Sequence, residues 1–292
     1  MKSGGGNSPF FRVVISMLRC GNFQLSLERP QIMGIVNLTP DSFSGDGLAN
    51  DTVRAIAHAW RQIEAGADMI DLGAESSRPG AIPTSLDEEL ARLLPVLESL
   101  SGCPVPISVD TYKPEVMRAA LAHGASMIND IYALRRSGAI AAVAGSDCAI
   151  CLMHMQGEPL TMQKNPVYHD DVVREVEEFL CGRVDEVIAA GISRDRLVLD
   201  PGFGFGKTLE DNLAMLARLG ETGCYGLPIL AGMSRKSMLG AITGRTVADR
   251  LAASVAAAVL AAAHGARILR VHDVAETRDA IAVWQAVETA CQ

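Results

Sequence analysis

The amino-acid sequence predicts an α/β protein built as a (β/α)8 barrel. Short apolar runs recur eight times between residues 33 and 272, stretches with helical periodicity separate them, and glycines mark several helix ends. Near-continuous apolar strands that alternate with amphipathic helices are typical of a parallel sheet with helices packed outside it. Eight such units fit one closed barrel, and a doubly wound open sheet is the alternative.

The junctions between helices and strands repeat one pattern. "EAGADMIDLG" (64–73), "AHGASMIND" (122–130) and "AHGARILRVHD" (263–273) each contain a glycine, which permits the left-handed turn at a helix end, followed by an apolar run. Among the helices, the periodicity is clearest over 170–190. The strands are predicted at 33–38, 69–73, 106–111, 126–130, 148–154, 197–201, 228–232 and 267–272.

The first 30 residues lie outside this repeat. The segment "CGNFQLSLERP" (20–30) predicts a small hairpin that closes the floor of the barrel, and a disordered leader, "KSGGGNSP" (2–9), is expected before it. We therefore divide the chain into a leader with an N-terminal hairpin (1–30) and one barrel domain (31–292), in which we expect the chemistry to occur.

Composition and charge exclude several classes of function. The formal net charge of −8 disfavours a nucleic-acid partner, and no apolar run approaches the roughly 18 to 20 residues of a membrane span. Arg12 and Arg19 interrupt the first apolar stretch, which disfavours a secretory signal. The seven cysteines, an odd number, favour reduced thiols and a cytoplasmic protein. Cys148 and Cys151 form a C-x-x-C inside a strand run and are expected to be packing residues.

Polar residues stand at nearly every predicted strand end. Because the carboxyl ends of barrel strands share one mouth, we expect most of these side chains to converge on a site there. Asp71 and Asp130 best fit a role in packing or in orienting neighbours. The full set is Asn37, Asp71, Asp110, Asn129, Asp130, His154, Asp200, Arg270 and His272.

The polar residues at the mouth fall into two chemical groups. Asp110, Asn129 and Asp200 end strands 3, 4 and 6, and such a set suits the edge of a flat heterocycle that presents several N–H donors. Lys236, Arg270 and His272, with Arg235 as a further candidate, follow strands 7 and 8 and would suit an anion such as pyrophosphate. The loop 37–47 is expected to be a mobile lid, and the loop 74–83 offers hydroxyl groups and Arg78.

The segment "PGFGFGKT" (201–208) raises the question of a nucleotide-binding P-loop. That motif requires Gly-x-x-x-x-Gly-Lys-Ser/Thr, but the first position is occupied by Pro201, which has no N–H to offer a phosphate. The strict motif therefore fails at one position, and the rest of the chain must decide what this loop does.

Eight segments, in order along the chain, are similar to one known family. They are "MGIVNLTPDSFS" (33–44), "ESSRPGA" (75–81), "SVDTYKPEV" (108–116), "IND" (128–130), "LMHMQGEPLTMQ" (152–163), "DPGFGFGK" (200–207), "GMSRKSML" (232–239) and "RVHDV" (270–274). Together they resemble the dihydropteroate synthases. The resemblance implies a barrel enzyme, usually a homodimer, that joins 6-hydroxymethyl-7,8-dihydropterin pyrophosphate to p-aminobenzoate and releases pyrophosphate.

The same resemblance implies roles for individual residues. For the pterin pyrophosphate it implies contacts from Ser77, Asp110, Asn129, Met153, Asp200, Lys236, Arg270, Val271 and His272. For p-aminobenzoate it implies Ser77, Arg78, Pro79, Phe205, Lys236 and Ser237. Asn37 would contact a Mg2+ ion held by the pyrophosphate, and Asp110, Asp200 and Lys236 would be catalytic. Two departures stand out: Ser77 replaces the family's usual threonine, and the acidic residue of the first loop is shifted to Asp46.

The implied chemistry favours departure of pyrophosphate before the amine attacks, because an electron-rich dihydropterin stabilises a cation at its exocyclic methylene and a bound metal stabilises the leaving group. One rival is a pterin-binding methyltransferase barrel, which would not need the cation group of strands 7 and 8. The other is a pterin-binding protein without catalytic activity. The retained Asn37, Lys236, Arg270 and His272 argue against both.

Overall fold

The computed structural model describes residues 15–39, 51–78 and 80–290. Within these segments the strands are β1 (Met17–Cys20), β2 (Phe23–Ser26), β3 (Gln31–Asn37), β4 (Met69–Gly73), β5 (Ile107–Asp110), β6 (Met127–Asp130), β7 (Ala149–Met153), β8 (Leu197–Asp200), β9 (Ile229–Ala231) and β10 (Ala266–Val271). Strands β3 to β10 pair in parallel and in chain order, and β10 closes against β3. The (β/α)8 barrel is therefore confirmed, and closure excludes the doubly wound sheet, which has two free edges.

Helices cover the outside of the barrel. Within the described residues they are α1 (Thr52–Glu64), α2 (Leu86–Ser99), α3 (Pro114–Ala122), α4 (Ala139–Ala144), α5 (Val172–Ala189), α6 (Leu209–Ala217), α7 (Ser237–Thr243), α8 (Leu251–Ala263) and α9 (Val274–Ala290). Several begin at side chains that accept the unpaired N–H groups of the first turn, such as Ser85 before α2 and Thr208 before α6. The helix predicted from the periodicity over 170–190 is confirmed as α5.

An N-terminal hairpin is present and closes the floor, but it covers residues 17–26 rather than the predicted 20–30. Strands β1 and β2 pair antiparallel, and Leu18, Cys20 and Leu27 pack into one apolar cluster with the lowest inward-facing barrel residues, including Met33 and Met127. The predicted leader, residues 2–9, lies outside the described residues. The division of the chain at residue 30 remains our interpretation.

The inward-facing side chains of the strands form two levels inside the barrel. The lower level is apolar, and the level at the mouth is polar. Inside, Met33, Met69, Met127, Val198 and Leu230 fill the lower level with apolar atoms. The next inward positions toward the mouth are polar, so the lower level supports them without competing for ligands. Outside, a larger apolar core lies between strands and helices.

The state of the cysteines and the character of the helices agree with what the composition predicted. The described cysteines are free, and Cys148 and Cys151 are buried, which confirms that they are packing residues. In the segments that the structure describes, no helix combines the length and the apolar character needed to cross a bilayer.

Candidate active site

A cavity of about 360 Å3 opens at the carboxyl ends of the strands. The predicted residues that line it are Asn37, Ser77, Arg78, Asp110, Asn129, Met153, Asp200, Phe205, Lys236, Ser237, Arg270 and His272. Val271 is not brought to the cavity: its side chain packs in the outer apolar core, because it alternates with the inward-facing Arg270 and His272. Pro79 and most of the predicted lid loop, residues 40–50, lie outside the described residues.

The acidic and amide groups line the arc of the cavity that runs from β5 to β8, which we call the acidic wall. Asp110 and Asn129 are register neighbours on β5 and β6, and Asp200 ends β8. Asp200 Oδ1 accepts the N–H of Gly202 at 2.7 Å, which fixes that carboxylate against its own loop. Burial raises the pKa of Asp200, while nearby Lys236 opposes the rise. This wall can therefore accept several hydrogen bonds from a planar ligand.

Arg270 reaches across the barrel to two of the carboxylates. Its Nε donates to Asp71 Oδ2 at 2.6 Å, and its Nη2 donates to Asp110 Oδ2 at 3.1 Å. Burial disfavours the charge of Arg270, but Asp71 and Asp110 raise its pKa above the ordinary value. Burial also raises the pKa of Asp110 to about 7, against the opposing effect of Arg270. The guanidinium therefore already neutralises part of the acidic wall.

Lys236 lies between the acidic wall and the aromatic ring of Phe205. Its Nζ donates to the carbonyl of Phe203 and lies 4.7 Å from the centre of the Phe205 ring, a cation–π geometry. Burial lowers the pKa of Lys236 to about 8, although Asp200 favours its charged form. Phe205, Ser237 and Met153 complete this side of the cavity.

The other basic residues of the mouth are oriented by hydrogen bonds. His272 Nδ1 lies 2.9 Å from Ser234 Oγ, and the His272 carbonyl accepts from Gln62 Nε2 at 2.9 Å. Arg235 lines the cavity too, but its Nε donates to Asp273 Oδ2 at 3.1 Å. His272 and Arg270 therefore approach the cavity from β10, as expected for an anion site.

The buried carboxylate of Glu75 holds the two ends of the loop after β4 together by hydrogen bonds. Glu75 Oε1 accepts the N–H of Thr84 at 3.0 Å, which joins the two ends of the loop, and the hydroxyl of Tyr112 at 2.8 Å. Lys113 pairs with both Glu75 and Glu89. The loop thereby holds Ser77 and Arg78 at the rim of the cavity.

Three of the polar strand ends serve the scaffold. Asp130 accepts the N–H groups of Tyr132 and Leu134, both at 2.8 Å, and Asp71 holds Arg270 and Asn129, which confirms their predicted orienting roles. His154 was expected to face the mouth, and this prediction is wrong. Since Met153 points into the cavity, the next residue points outward, and the His154 ring packs against Phe179.

Sequence reasoning missed several lining residues. Ile35, Thr39, Ile131, Met162 and Ser234 also line the cavity. Inward alternation with Asn37 and Met33 would have indicated Ile35, whereas Met162 comes from a long loop whose path no periodicity predicts.

The described residues contain no group of three or more histidine, cysteine, aspartate or glutamate side chains that could hold a metal ion. Asn37 brings an amide oxygen to the mouth on the same side as Asp110, since both face Gly73. An amide oxygen can act as a ligand of Mg2+. In proteins this ion commonly takes one or two protein ligands and completes its coordination with phosphate oxygens and water. The residues present therefore fit a Mg2+ ion that arrives with a phosphate ligand.

The glycine-rich loop has its own requirement for glycine. Gly202, Gly204 and Gly206 have φ of 71°, 78° and 64°, and a Cβ on Gly202 or Gly206 would lie 1.9 Å or 2.4 Å from the carbonyl oxygen of His154 or Gln156. Lys207 is buried beneath the loop. The geometry is that of a packed barrel loop, which agrees with the argument against a P-loop.

Comparison with known proteins identifies close relatives. The profile of the pterin-binding enzyme family matches residues 33–272. The chain is 49% identical over 267 residues to the dihydropteroate synthase of Escherichia coli strain K12, covering 91% of this chain and 94% of that protein. Among solved structures, Burkholderia cenocepacia dihydropteroate synthase complexed with 7,8-dihydropteroate superimposes with a TM-score of 0.87 at 51% identity, covering 94% of this chain and 98% of that one. The Yersinia pestis dihydropteroate synthase with a sulfonamide drug complex gives 0.90 at 46% identity, covering 94% and 99%.

Proposed function

The chain belongs to the dihydropteroate synthases of the pterin-binding enzyme family, and we infer from this premise that its barrel mouth joins 6-hydroxymethyl-7,8-dihydropterin pyrophosphate to p-aminobenzoate. The products are 7,8-dihydropteroate and pyrophosphate. The observation that carries the inference is the cavity itself, in which an acidic and amide wall faces a cationic one. A methyl donor would bring no anion for Lys236, Arg270 and His272 to meet, so a pterin-binding methyltransferase is not favoured.

We propose the following division of labour among the residues of the cavity. Asp110, Asn129 and Asp200 accept hydrogen bonds from the pterin edge, next to Met153. Arg270 and His272 bind the pyrophosphate, and Val271 contributes through its backbone at most, since its side chain is in the outer core. Lys236 contacts both substrates. Ser77, Arg78, Phe205, Ser237 and Pro79 surround p-aminobenzoate.

We further propose that the reaction follows an SN1-like route. An arylamine is a weak nucleophile, so prior departure of pyrophosphate lowers the demand on it. The carboxylates of Asp110 and Asp200 stabilise the positive charge that develops on the dihydropterin, and Arg270 and His272 stabilise the negative charge that develops on the leaving group. When bound, Mg2+ supplies additional charge neutralisation at the pyrophosphate, and Asn37 is the residue that would contact it.

Homodimer formation and a cytoplasmic location are also part of the proposal. The exposed stripe of α8 consists of Ala252, Ala256, Leu260 and Ala263, and the helix carries no charged residue at any position. Helices that are apolar all round are normally covered, and a second copy of this chain would cover α8. The free thiols of the described cysteines fit a reducing compartment.

The decisive experiment is a coupled pyrophosphate-release assay combined with chromatographic detection of 7,8-dihydropteroate. We expect both products only when p-aminobenzoate, the pterin pyrophosphate and Mg2+ are all present, and we expect Asn37→Ala to weaken turnover. Pterin binding without any pyrophosphate release would indicate the non-catalytic binding protein instead. Full turnover in excess chelator would rule out the proposed part of Mg2+.

A further inference from the structure

The buried lysine of the glycine-rich loop has no role in the chemistry proposed above. Lys207 is only 3% exposed. Its Nζ lies 2.9 Å from His154 Nδ1 and donates to the carbonyl oxygens of Gly202 at 3.1 Å and Phe205 at 3.2 Å. All three hydrogens of an ammonium group therefore have an acceptor within the protein. Because every hydrogen of the buried ammonium group has an acceptor, the fold itself fixes the position of the Lys207 side chain.

Two of these contacts fix a tight turn. The N–H of Phe205 donates to the carbonyl of Gly202 at 3.1 Å, which defines a turn over residues 202–205. Lys207 binds the carbonyls at both ends of this same turn. The lysine thus sets the direction in which the peptide of Phe205 points, while the Phe205 side chain faces the cavity beneath Lys236.

The third contact connects the turn to the neighbouring strand. His154 follows β7 directly, is 6% exposed and packs edge-on against Phe179 with ring centres 4.9 Å apart. Since the imidazole is held by this packing, it gives the lysine a rigid anchor. Lys207 therefore links three points, namely the start of the turn, the end of the turn and the outer side of β7.

We propose that Lys207 is a positioning residue for the second substrate: it holds the turn 202–205 in the shape that places the Phe205 ring against p-aminobenzoate. This proposal rests on the proposed function, because the occupant of the Phe205 wall is p-aminobenzoate only if that function is correct. Lys207 touches neither the cavity nor a reacting atom, so its effect is transmitted through Phe205.

The hydrogen bonds of the network are satisfiable in either protonation state of the lysine. Burial lowers the pKa of Lys207 to about 7 and lowers the pKa of His154. As an ammonium, the lysine donates to all three acceptors. As a neutral amine, it donates to the two carbonyls and accepts from the imidazole, whose proton then resides on Nδ1. The hydrogen bonds between Lys207, the turn and His154 are therefore kept on both sides of neutral pH.

The test is steady-state kinetics on Lys207→Met, whose side chain has a similar length but no hydrogen-bond donor. We expect the KM for p-aminobenzoate to rise about tenfold or more while the KM for the pterin pyrophosphate stays within about threefold. Phe205→Ala and the double variant complete a cycle. If Lys207 acts through Phe205, the double variant should resemble Phe205→Ala alone, whereas a product of the two single effects would overturn the proposal.

Tyr168→Phe is the matched control. The Tyr168 hydroxyl also donates to a carbonyl of this loop, that of Gly206 at 2.9 Å, but it does not hold the turn 202–205. We expect its KM for p-aminobenzoate to stay within about twofold of wild type. An increase equal to that of Lys207→Met would mean that any loosening of the loop has this effect, and the specific role of Lys207 would be refuted.

Two further outcomes remain decisive. If Lys207→Met does not fold, His154→Leu removes a single contact and leaves the carbonyl contacts in place. A folded His154→Leu with a selectively raised p-aminobenzoate KM supports the proposal, and one with unchanged KM values assigns the lysine to stability alone. Activity of the wild type tests the proposed function separately. A wild type that releases no pyrophosphate removes that function and this inference with it.

Discussion

The two carboxylates of the acidic wall are of one chemical type but have different neighbours. Asp110 shares its Oδ2 with the Arg270 guanidinium, whereas Asp200 accepts a backbone N–H from Gly202. Burial raises the pKa of both. A ligand that donates N–H groups would compensate each carboxylate for the water it has lost, so the wall favours such a ligand over one that presents acceptors.

The first prediction concerns Asp200→Asn. Since Gly202 donates to Oδ1, an asparagine keeps that contact with its carbonyl oxygen and turns its NH2 toward the donors of the pterin. Loss of a charge-assisted hydrogen bond together with opposed donors costs about 2 to 4 kcal/mol. We expect kcat/KM to fall about 30- to 1,000-fold in a variant that remains folded. A folded variant within about threefold of wild type would show that Asp200 only caps its strand.

The second prediction links Asp110 to stability. Its pKa lies near 3.8 in the unfolded chain and is raised to about 7 in the fold, so the fold favours the protonated form. The cost of burying the charge is therefore absent below about pH 4, grows as pH rises and is complete above about pH 7. Asp110→Asn removes this titration. Its free energy of unfolding relative to wild type should increase between pH 4 and 7 and then level off, as urea denaturation at several pH values would measure.

A difference that is flat from pH 4 to 8 would contradict this assignment of the raised pKa. Activity gives an independent check, because the acidic limb of kcat/KM reports groups of the free enzyme. We expect that limb to lie near pH 7 in wild type and to be lost or displaced in Asp110→Asn.

At the scale of elements, alternation explains both the successes and the failures of sequence reasoning. The strands and their polar ends are local features, so the eight strands and the polar residues that end them could be predicted, whereas Met153, Phe205 and Ser237 were assigned to the site only by the family resemblance. The failure at His154 comes from its neighbour, because Met153 faces inward and the next residue must face outward. The side chain of Val271 faces outward for the same reason, between Arg270 and His272. The pairing of Arg270 with Asp71 spans 199 residues of sequence, and no local pattern predicts it.

The third prediction compares two glycines. Gly202 has φ of 71°, and a Cβ there would lie 1.9 Å from the His154 carbonyl, whereas Gly182 lies on the exposed face of α5 with nothing within 4 Å. Gly202→Ala should displace the loop, lower the melting temperature and raise the KM for p-aminobenzoate. Gly182→Ala should instead stabilise the protein by about 0.5 to 1 kcal/mol with unchanged kinetics. Equal behaviour of the two variants in thermal denaturation would argue against a strained turn at Gly202.

At the scale of the whole molecule, the two ends of the barrel have different tasks. The hairpin of β1 and β2 seals the lower end with apolar side chains, and the polar residues are confined to the upper end. Closed barrels place chemistry at the carboxyl ends of their strands, where loops can vary without disturbing the core. Among the helices of the described segments, α8 carries no charged residue, and its outward face is as apolar as its inner one.

The last prediction follows from α8. Leu260 is 49% exposed on a face whose other exposed residues are alanines, and we expect a second copy of the chain to cover this face. Leu260→Glu would place a charge in that interface, where it would lose its water without gaining a partner. Sedimentation should then show a dimer for wild type and a shift toward monomer for the variant. Val53→Glu is the control, since Val53 is 77% exposed on α1 and its charge would stay in water. A dimer that resists Leu260→Glu as well as Val53→Glu would place the interface elsewhere and leave the apolar face of α8 without an occupant.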